Sequence, residues 1–108
     1  MKIRLTNDTV RLRLSDEEVA ALCENGSLVT AVDFGTAGRS EWILSPSNGD
    51  AIEVALTGSR LVISIPRLWI EGWESSAHTE IDVEVPVGHG RSVLILIEKD
   101  LPCRHGAD

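Results

Sequence analysis

The sequence predicts an α+β protein made of two ββαββ repeats, packed as one mostly antiparallel barrel or sandwich with two short helices. Three observations support this prediction. Several short segments alternate apolar and polar residues with the period of two that is typical of strands. Two of these segments run directly into a helix-start signal, at Ser15 and at Pro66. The pattern also recurs: the segment from Val10 to Ser15 resembles the segment from Leu61 to Pro66, 51 residues later.

The internal match extends over most of the chain. With an offset of 51 residues and no gap, apolar strand positions and helix faces coincide in order: Val10, Leu12, Leu14, Val19 and Leu22 with Leu61, Ile63, Ile65, Ile70 and Trp73. The predicted repeats cover about 2–46 and 51–98, and a tail follows at 99–108. The turn between the repeats is too short for a flexible linker, so residues 1–108 are expected to form one domain with one core.

The first repeat begins with a predicted hairpin, 2–6 and 10–14. Ser15 and Glu18 then form a capping box, and the helix should reach Glu24 and stop at Asn25-Gly26. Strands at 28–34 and 40–45 complete this repeat.

The second repeat predicts strands at 51–57 and 60–65, a helix from Pro66 to Ser76, and strands at 79–85 and 91–98. The last strand is apolar on both sides from Val93 to Ile97, which favours a central position in a sheet.

Composition bounds the class of protein. The chain has 108 residues, a net charge of −7, and apolar and charged contents of 43% and 25%, which are ordinary for a globular domain. No apolar run approaches the roughly 20 residues needed to span a bilayer, and no secretory signal is visible, so a cytoplasmic location is expected. The two cysteines, Cys23 and Cys103, fit a reducing compartment.

A basic stripe is the first candidate binding surface. Lys2, Arg4, Arg11 and Arg13 lie on the polar side of the first predicted hairpin. They could bind anions, an acidic partner or nucleic acid, although the negative net charge disfavours nucleic acid. Alternatively, they could lie beside the acidic residues of a neighbouring strand and be neutralised there. Those residues are Glu80, Asp82 and Glu84.

The second candidate is aromatic. Trp69 and Trp73 are one helical turn apart on the second predicted helix. They could pack into the core, or they could form a patch for a protein partner or a second copy of the chain, because tryptophan is enriched in binding hot spots.

No catalytic constellation or cofactor motif is present, so neither an enzyme nor a bound cofactor is predicted. Cys103 and His105 in the tail, with nearby carboxylates, could form part of a metal site. A structural zinc site normally needs a second pair of ligands at short spacing, which the sequence lacks, so no metal site is predicted.

Two resemblances follow from these residues. The N-terminal Ile3-Arg4-Leu5 hairpin and the C-terminal Glu98-Lys99-Asp100 segment with Cys103 resemble a family of small uncharacterised bacterial proteins. The segment from Ser59 to Pro66 with the strand Glu80 to Val85 resembles the swapped-hairpin domains of AbrB-like transcription factors and MazE-type antitoxins. That resemblance implies an interlocked fold and DNA binding through basic residues, although the family's Gly-Asp turn after the helix is absent.

The sequence therefore predicts a small, non-enzymatic binding protein that acts through Trp69 and Trp73 or through the basic stripe. Its partner is an unidentified protein or a second copy of the chain. The alternative is a DNA-binding regulator or antitoxin of the AbrB/MazE kind, whose binding would depend strongly on salt.

Overall fold

A computed structural model describes residues 1–100, which form two four-stranded sheets and two short α-helices. The first half contains β1 (Lys2–Leu5), β2 (Thr9–Leu14), α1 (Asp16–Cys23), β3 (Leu28–Asp33) and β4 (Arg39–Ser47). The second half contains β5 (Glu53–Thr57), β6 (Arg60–Pro66), α2 (Arg67–Ile70), β7 (Glu80–Gly88) and β8 (Arg91–Lys99). Single 3₁₀ turns lie at Gly35–Ala37 and Trp73–Ser75.

Each sheet combines one hairpin from each half of the chain. Sheet A has the order β1-β2-β8-β7, and sheet B has the order β3-β4-β6-β5. Each hairpin is antiparallel, whereas the strands that join the two halves, β2 with β8 and β4 with β6, are parallel. The two halves are therefore interleaved and cannot bury their apolar faces separately.

The two sheets do not close into a barrel, which removes one of the two predicted architectures. Their inner faces share a single apolar core with both helices. Its members, all nearly inaccessible to solvent, are Leu12, Leu14, Val19, Leu22, Leu28, Leu44, Ile52, Ile63, Ile65, Ile70, Trp73, Ile95 and Ile97. The predicted central position of the last strand is confirmed, because β8 lies between β2 and β7.

Helix α1 begins and ends as its sequence predicts. The Ser15 hydroxyl accepts a hydrogen bond from the Glu18 amide, and the Glu18 carboxylate accepts one from the Ser15 amide, which completes the capping box. Asn25 has a φ of 69° and ends the helix in the left-handed conformation.

The second helix is shorter than predicted. The sequence predicts helix from Pro66 to Ser76, but α2 ends at Ile70 and Gly72 follows with a φ of 73°. This left-handed residue breaks the helical path, and the chain continues as a 3₁₀ turn that places Trp73 in the core.

Two strands also extend through prolines, at Pro46 and Pro86, although the sequence predicts a turn at 46–50 and a loop at 86–90. Pro46 lies in β4, two residues beyond Leu44, where the pairing of β4 with β3 ends. On the side of β3 it therefore has no neighbouring strand that would need its missing N–H. Pro86 lies in β7, an edge strand of sheet A. Both positions are places where a sheet tolerates proline.

Candidate interaction surfaces

The basic stripe lies on the outer face of sheet A. The alternation of β1 and β2 sends their apolar residues to the core and their four cations outward. Lys2 is directly opposite Arg13, and Arg4 is directly opposite Arg11. Like charges in directly opposite positions destabilise a hairpin, so this arrangement reduces the stability of the isolated sheet.

The acidic stripe lies on the same face but not beside the basic one. Glu80, Asp82 and Glu84 are exposed on β7, and β8 separates them from β2. Adjacent strands are about 4.8 Å apart, so β2 and β7 are about 10 Å apart. Of the two alternatives that the sequence left open, the one in which the two stripes occupy neighbouring strands is excluded, because the parallel β2–β8 pairing inserts a strand between them.

Glu98 and Asp100 provide the ion pairs of the basic stripe. Glu98 Oε1 is 3.2 Å from Arg11 Nε and 3.3 Å from Arg13 Nε. Lys2 Nζ donates to Asp100 at 2.8 Å, and this bond lowers the pKa of the Asp100 carboxyl. Within residues 1–100, Arg4 has no ion-pair partner.

An apolar seam separates the two charged halves of this face. Leu94 and Leu96 point outward from β8, opposite Thr9 and Arg11 on one side and Glu84 and Asp82 on the other. Both leucines are half-buried. We call the whole surface the dipolar face: Lys2, Arg4, Arg11, Arg13, Leu94, Leu96, Glu98, Glu80, Asp82 and Glu84.

The outer face of sheet B has a different character. An apolar row crosses all four strands in register, formed by Val29, Ile43, Val62 and Ala55. Charged residues that are directly opposite each other on this face have opposite signs, as in the pairs Asp33–Arg39 and Glu41–Arg60.

Glu41 binds two arginines on that face. Its carboxylate accepts hydrogen bonds from Arg39 Nε and Arg60 Nε, both at 3.2 Å. These two bonds hold the pKa of Glu41 below its ordinary value. The charges of Arg39, Glu41 and Arg60 are thus paired within the face itself.

The two candidate tryptophans do not share a surface. Trp73 is 3% exposed and lies in the core, where its indole Nε1 has no hydrogen-bond partner among the described residues. The Lys99 ammonium lies 5.4 Å from the centre of its ring. Trp69 is 39% exposed, and its neighbour Leu68 is 79% exposed. A surface on α2 would therefore consist of Leu68 and Trp69.

An open cavity of about 470 Å³ lies beside α1 and the 3₁₀ turn, and it includes Asp16, Glu74, Thr79 and Lys99 in its lining. Residues 1–100 contain no cluster of three or more His, Cys, Asp or Glu side chains that could hold a metal ion. Cys103 and His105 lie outside the described residues.

Sequence reasoning identified the cations but missed two features of these surfaces. It considered the acidic residues only as a possible neutralising partner of the cations, although they form the other half of one face. It also missed the apolar row of sheet B, because Val29 and Ile43 belong to one half of the chain and Val62 and Ala55 to the other. Only the strand order brings these residues together.

No helix among the described residues is long and apolar enough to cross a membrane. Comparisons with curated proteins and with solved structures found no significant match. A family model matches residues 1–108, which is the entire sequence. The chain belongs to DUF7009, a family of unknown function.

Proposed function

We propose that this protein is a non-enzymatic, cytoplasmic interaction protein that binds a partner protein through the dipolar face. The observation that carries this proposal is the set of like-charged residues in directly opposite positions. These are the pairs Lys2–Arg13, Arg4–Arg11 and Glu80–Glu98. Each such pair lowers the stability of the sheet in the free protein.

A partner whose surface carries the complementary pattern would offset this repulsion. Charge patterns of this kind mainly set the specificity and the association rate of a complex, and the apolar seam of Leu94 and Leu96 would supply a dry centre. The dipolar face combines both elements on one rigid sheet.

The test is recovery of a partner from the protein's own cells, followed by native mass spectrometry. Wild-type protein should retain a stoichiometric partner, and Arg4→Glu should lose it. Arg91→Glu is the matched control, because Arg91 is also exposed and undergoes the same change in charge but lies on the opposite side of β8 from Leu94 and Leu96. Equal recovery with both variants would refute the proposal.

A DNA-binding regulator is the second candidate function. The four cations on an edge hairpin favour it, because such a stripe can follow a phosphate backbone. The carboxylates of Glu80, Asp82, Glu84 and Glu98 on the same face oppose it, since they would repel phosphates. The dipolar face therefore fits a partner with charges of both signs better than it fits a polyanion.

Titration with duplex DNA at low salt tests this second candidate. Four phosphate contacts would give a slope of log K against log salt of about −3.6. Arg11→Ala with Arg13→Ala should abolish the binding, whereas Arg39→Ala with Arg60→Ala removes the same charge from sheet B and should not. No binding by the wild-type protein at low salt would exclude this function.

A second protein contact is proposed at α2, where the consecutive residues Leu68 and Trp69 are both exposed. Large apolar side chains that remain exposed on a small domain can anchor a partner. Trp69→Ala should then weaken partner binding without affecting folding.

We also propose that the two halves of the chain are repeats of one ββαββ unit. Support comes from the strand registers. Ile3 is opposite Leu12 in β1–β2, and Val54 is opposite Ile63 in β5–β6, which preserves the interval of 51 residues. Leu28 is opposite Leu44 in β3–β4, and Ile81 is opposite Ile97 in β7–β8, which lengthens the interval to 53. The gap-free alignment therefore needs two extra residues after the second helix.

A further inference from the structure

We infer that the partner of the dipolar face is a second copy of this chain, bound face to face about a two-fold axis that runs parallel to the strands. This inference rests on the proposed function and specifies its partner. Three features of the face support it. Its positive and negative charges are similar in number, and most of them lie at opposite edges of the sheet. When the order of the strands is reversed, cations therefore face carboxylates.

The charges are nearly balanced. The dipolar face carries four cations, Lys2, Arg4, Arg11 and Arg13, and four carboxylates, Glu80, Asp82, Glu84 and Glu98, and the Asp100 carboxylate lies beside it, bound to Lys2. A surface with so little net charge is poorly suited to a polyanion or a polycation. It is well suited to a surface with similar numbers of charges of both signs.

Apart from Glu98, which binds Arg11 and Arg13, the carboxylates of the face are also separated in space from its cations. Strands β1 and β7 are the two edges of sheet A, and about 14 Å separates them. Arg4 and Asp82 lie in the same row of the sheet, because Arg4 is opposite Arg11, Arg11 is opposite Leu96, and Leu96 is opposite Asp82. At that distance they cannot form an ion pair within one chain.

The direction of the symmetry axis follows from this order. An axis parallel to the strands exchanges the left and right edges of the sheet, so that β1 of one copy faces β7 of the other. Arg4 of each copy then faces Asp82 of the other, and Lys2 faces Glu80. An axis perpendicular to the strands in the same plane would place cations on cations, which costs several kcal/mol in like-charge contacts.

The same axis brings the apolar seams close to each other. It passes between β2 and β8, so Leu96 of each copy faces Arg11 of the other and can cover the aliphatic part of that side chain. Two such sheets would pack with their strands aligned, as in an ordinary sheet-on-sheet contact. The interface is isologous, and each distinct contact occurs twice.

The interface is small. One face of four short strands offers less than the roughly 800 Å² per partner of a standard interface. We therefore expect a reversible dimer whose population rises with protein concentration and falls with salt. Sedimentation velocity on the full chain should show dimer at about 50 mM salt and mostly monomer at about 500 mM, where the screening length is much shorter.

A charge exchange across the interface gives the decisive test. Arg4→Asp alone should place carboxylate against carboxylate, and Asp82→Arg alone should place cation against cation. We expect each single variant to dimerise at least about tenfold more weakly than wild type. An equimolar mixture of the two variants should recover the dimer, because both cross contacts then join opposite charges.

Matched controls use exposed residues outside the face. Arg91→Asp and Asp50→Arg make the same changes in charge, and their mixture should behave like each variant alone. Circular dichroism must first show that every variant is folded. The recovery in the mixture cannot come from altered folding, since neither variant changes its own sequence on mixing.

The outcomes also separate this inference from the proposed function. A wild-type chain that is monomeric at low salt and high concentration would overturn the second-copy inference. If that monomer still captures a different protein that Arg4→Glu loses, the proposed function stands. A dimer that forms equally well in Arg4→Asp, in Asp82→Arg and in their mixture uses another surface and would also overturn the inference.

Discussion

The two sheets have corresponding strand orders and similar inner faces, but their outer faces differ sharply. Across sheet A, the central row consists of Arg4, Arg11, Leu96 and Asp82. Across sheet B, the row in the corresponding position consists of Ala55, Val62, Ile43 and Val29. One face presents charge at both edges, and the other presents a continuous apolar line.

The sign of neighbouring charges differs as well. On sheet B, Asp33 is opposite Arg39 and Glu41 is opposite Arg60, so these pairs stabilise the face. On sheet A, Arg13 is also opposite Glu98, but Arg4 is opposite Arg11 and Lys2 is opposite Arg13, and these two pairs of like charge destabilise the face. The inner faces are constrained by the shared core, whereas the outer faces are free to vary. The unfavourable arrangement on sheet A is the observation that supports the binding surface proposed above.

Because the inner faces of the two sheets are equivalent, truncating a buried side chain in either sheet should lower the free energy of unfolding by a large and similar amount. Leu12 in sheet A and Ile63 in sheet B are 0% and 2% exposed. We expect Leu12→Ala and Ile63→Ala each to lower the free energy of unfolding by about 2–5 kcal/mol, since each removes buried apolar atoms and leaves a cavity. Urea denaturation measures this loss. A loss below about 1 kcal/mol at either residue would show that its sheet contributes little to the core.

The helices offer a second contrast, because α1 has a capping box and α2 has no side-chain cap. Ser15→Ala should destabilise the protein by about 1 kcal/mol, since the Glu18 amide loses its acceptor. Ser59→Ala is the control, because Ser59 is exposed in a turn and its hydroxyl makes no hydrogen bond within residues 1–100. Equal stability of the two variants in thermal unfolding would contradict a stabilising role for the cap.

Local signals carried most of what the sequence predicted correctly. Alternation located the strands, and the Ser15–Glu18 spacing together with Asn25 located both ends of α1. The end of α2 was missed because the pattern of Ile70 and Trp73 suits a continuing helix equally well. Gly72 adopts the left-handed conformation, and a glycine at this position is a helix-stop signal that the apolar pattern outweighed.

The strand order was the largest part of the fold that the sequence did not predict. Alternation tells which residues share a face of one strand, but not which strand lies next to it. The sequence therefore left open whether Arg11 lies beside Glu80, Asp82 and Glu84 or apart from them. The parallel pairing of β2 with β8 decides it, and this pairing joins residues more than 80 positions apart, such as Arg11 and Leu96.

Removing one arginine from each outer face should have opposite effects. Arg4→Thr relieves the repulsion with Arg11 and should raise the stability of the monomer by about 0.2–1 kcal/mol. Arg60→Thr removes a partner of Glu41 and should lower stability slightly, as expected for an exposed ion pair. Chemical denaturation of dilute, monomeric protein at low salt measures both. Both effects should shrink at high salt, and effects of the same sign would break the contrast between the faces.

The smallest expected effect is the pH dependence that Glu41 contributes on sheet B. Hydrogen bonds from Arg39 and Arg60 lower the pKa of Glu41 in the folded state below its ordinary value of 4.5. Because this pKa is lowered, the Glu41 carboxylate contributes its full stabilisation above about pH 4.5, the pKa in the unfolded chain. The contribution is lost as the pH falls through the pKa of the folded state. Glu41→Gln should therefore be less stable than wild type at neutral pH, and the difference in melting temperature should vanish in acid.

Glu53→Gln, on the same face but without an ion pair among the described residues, should follow wild type at every pH. A difference for Glu41→Gln that persists unchanged at acid pH would show that the two arginines do not stabilise the carboxylate by charge, and that sheet B neutralises its face less completely than its register implies.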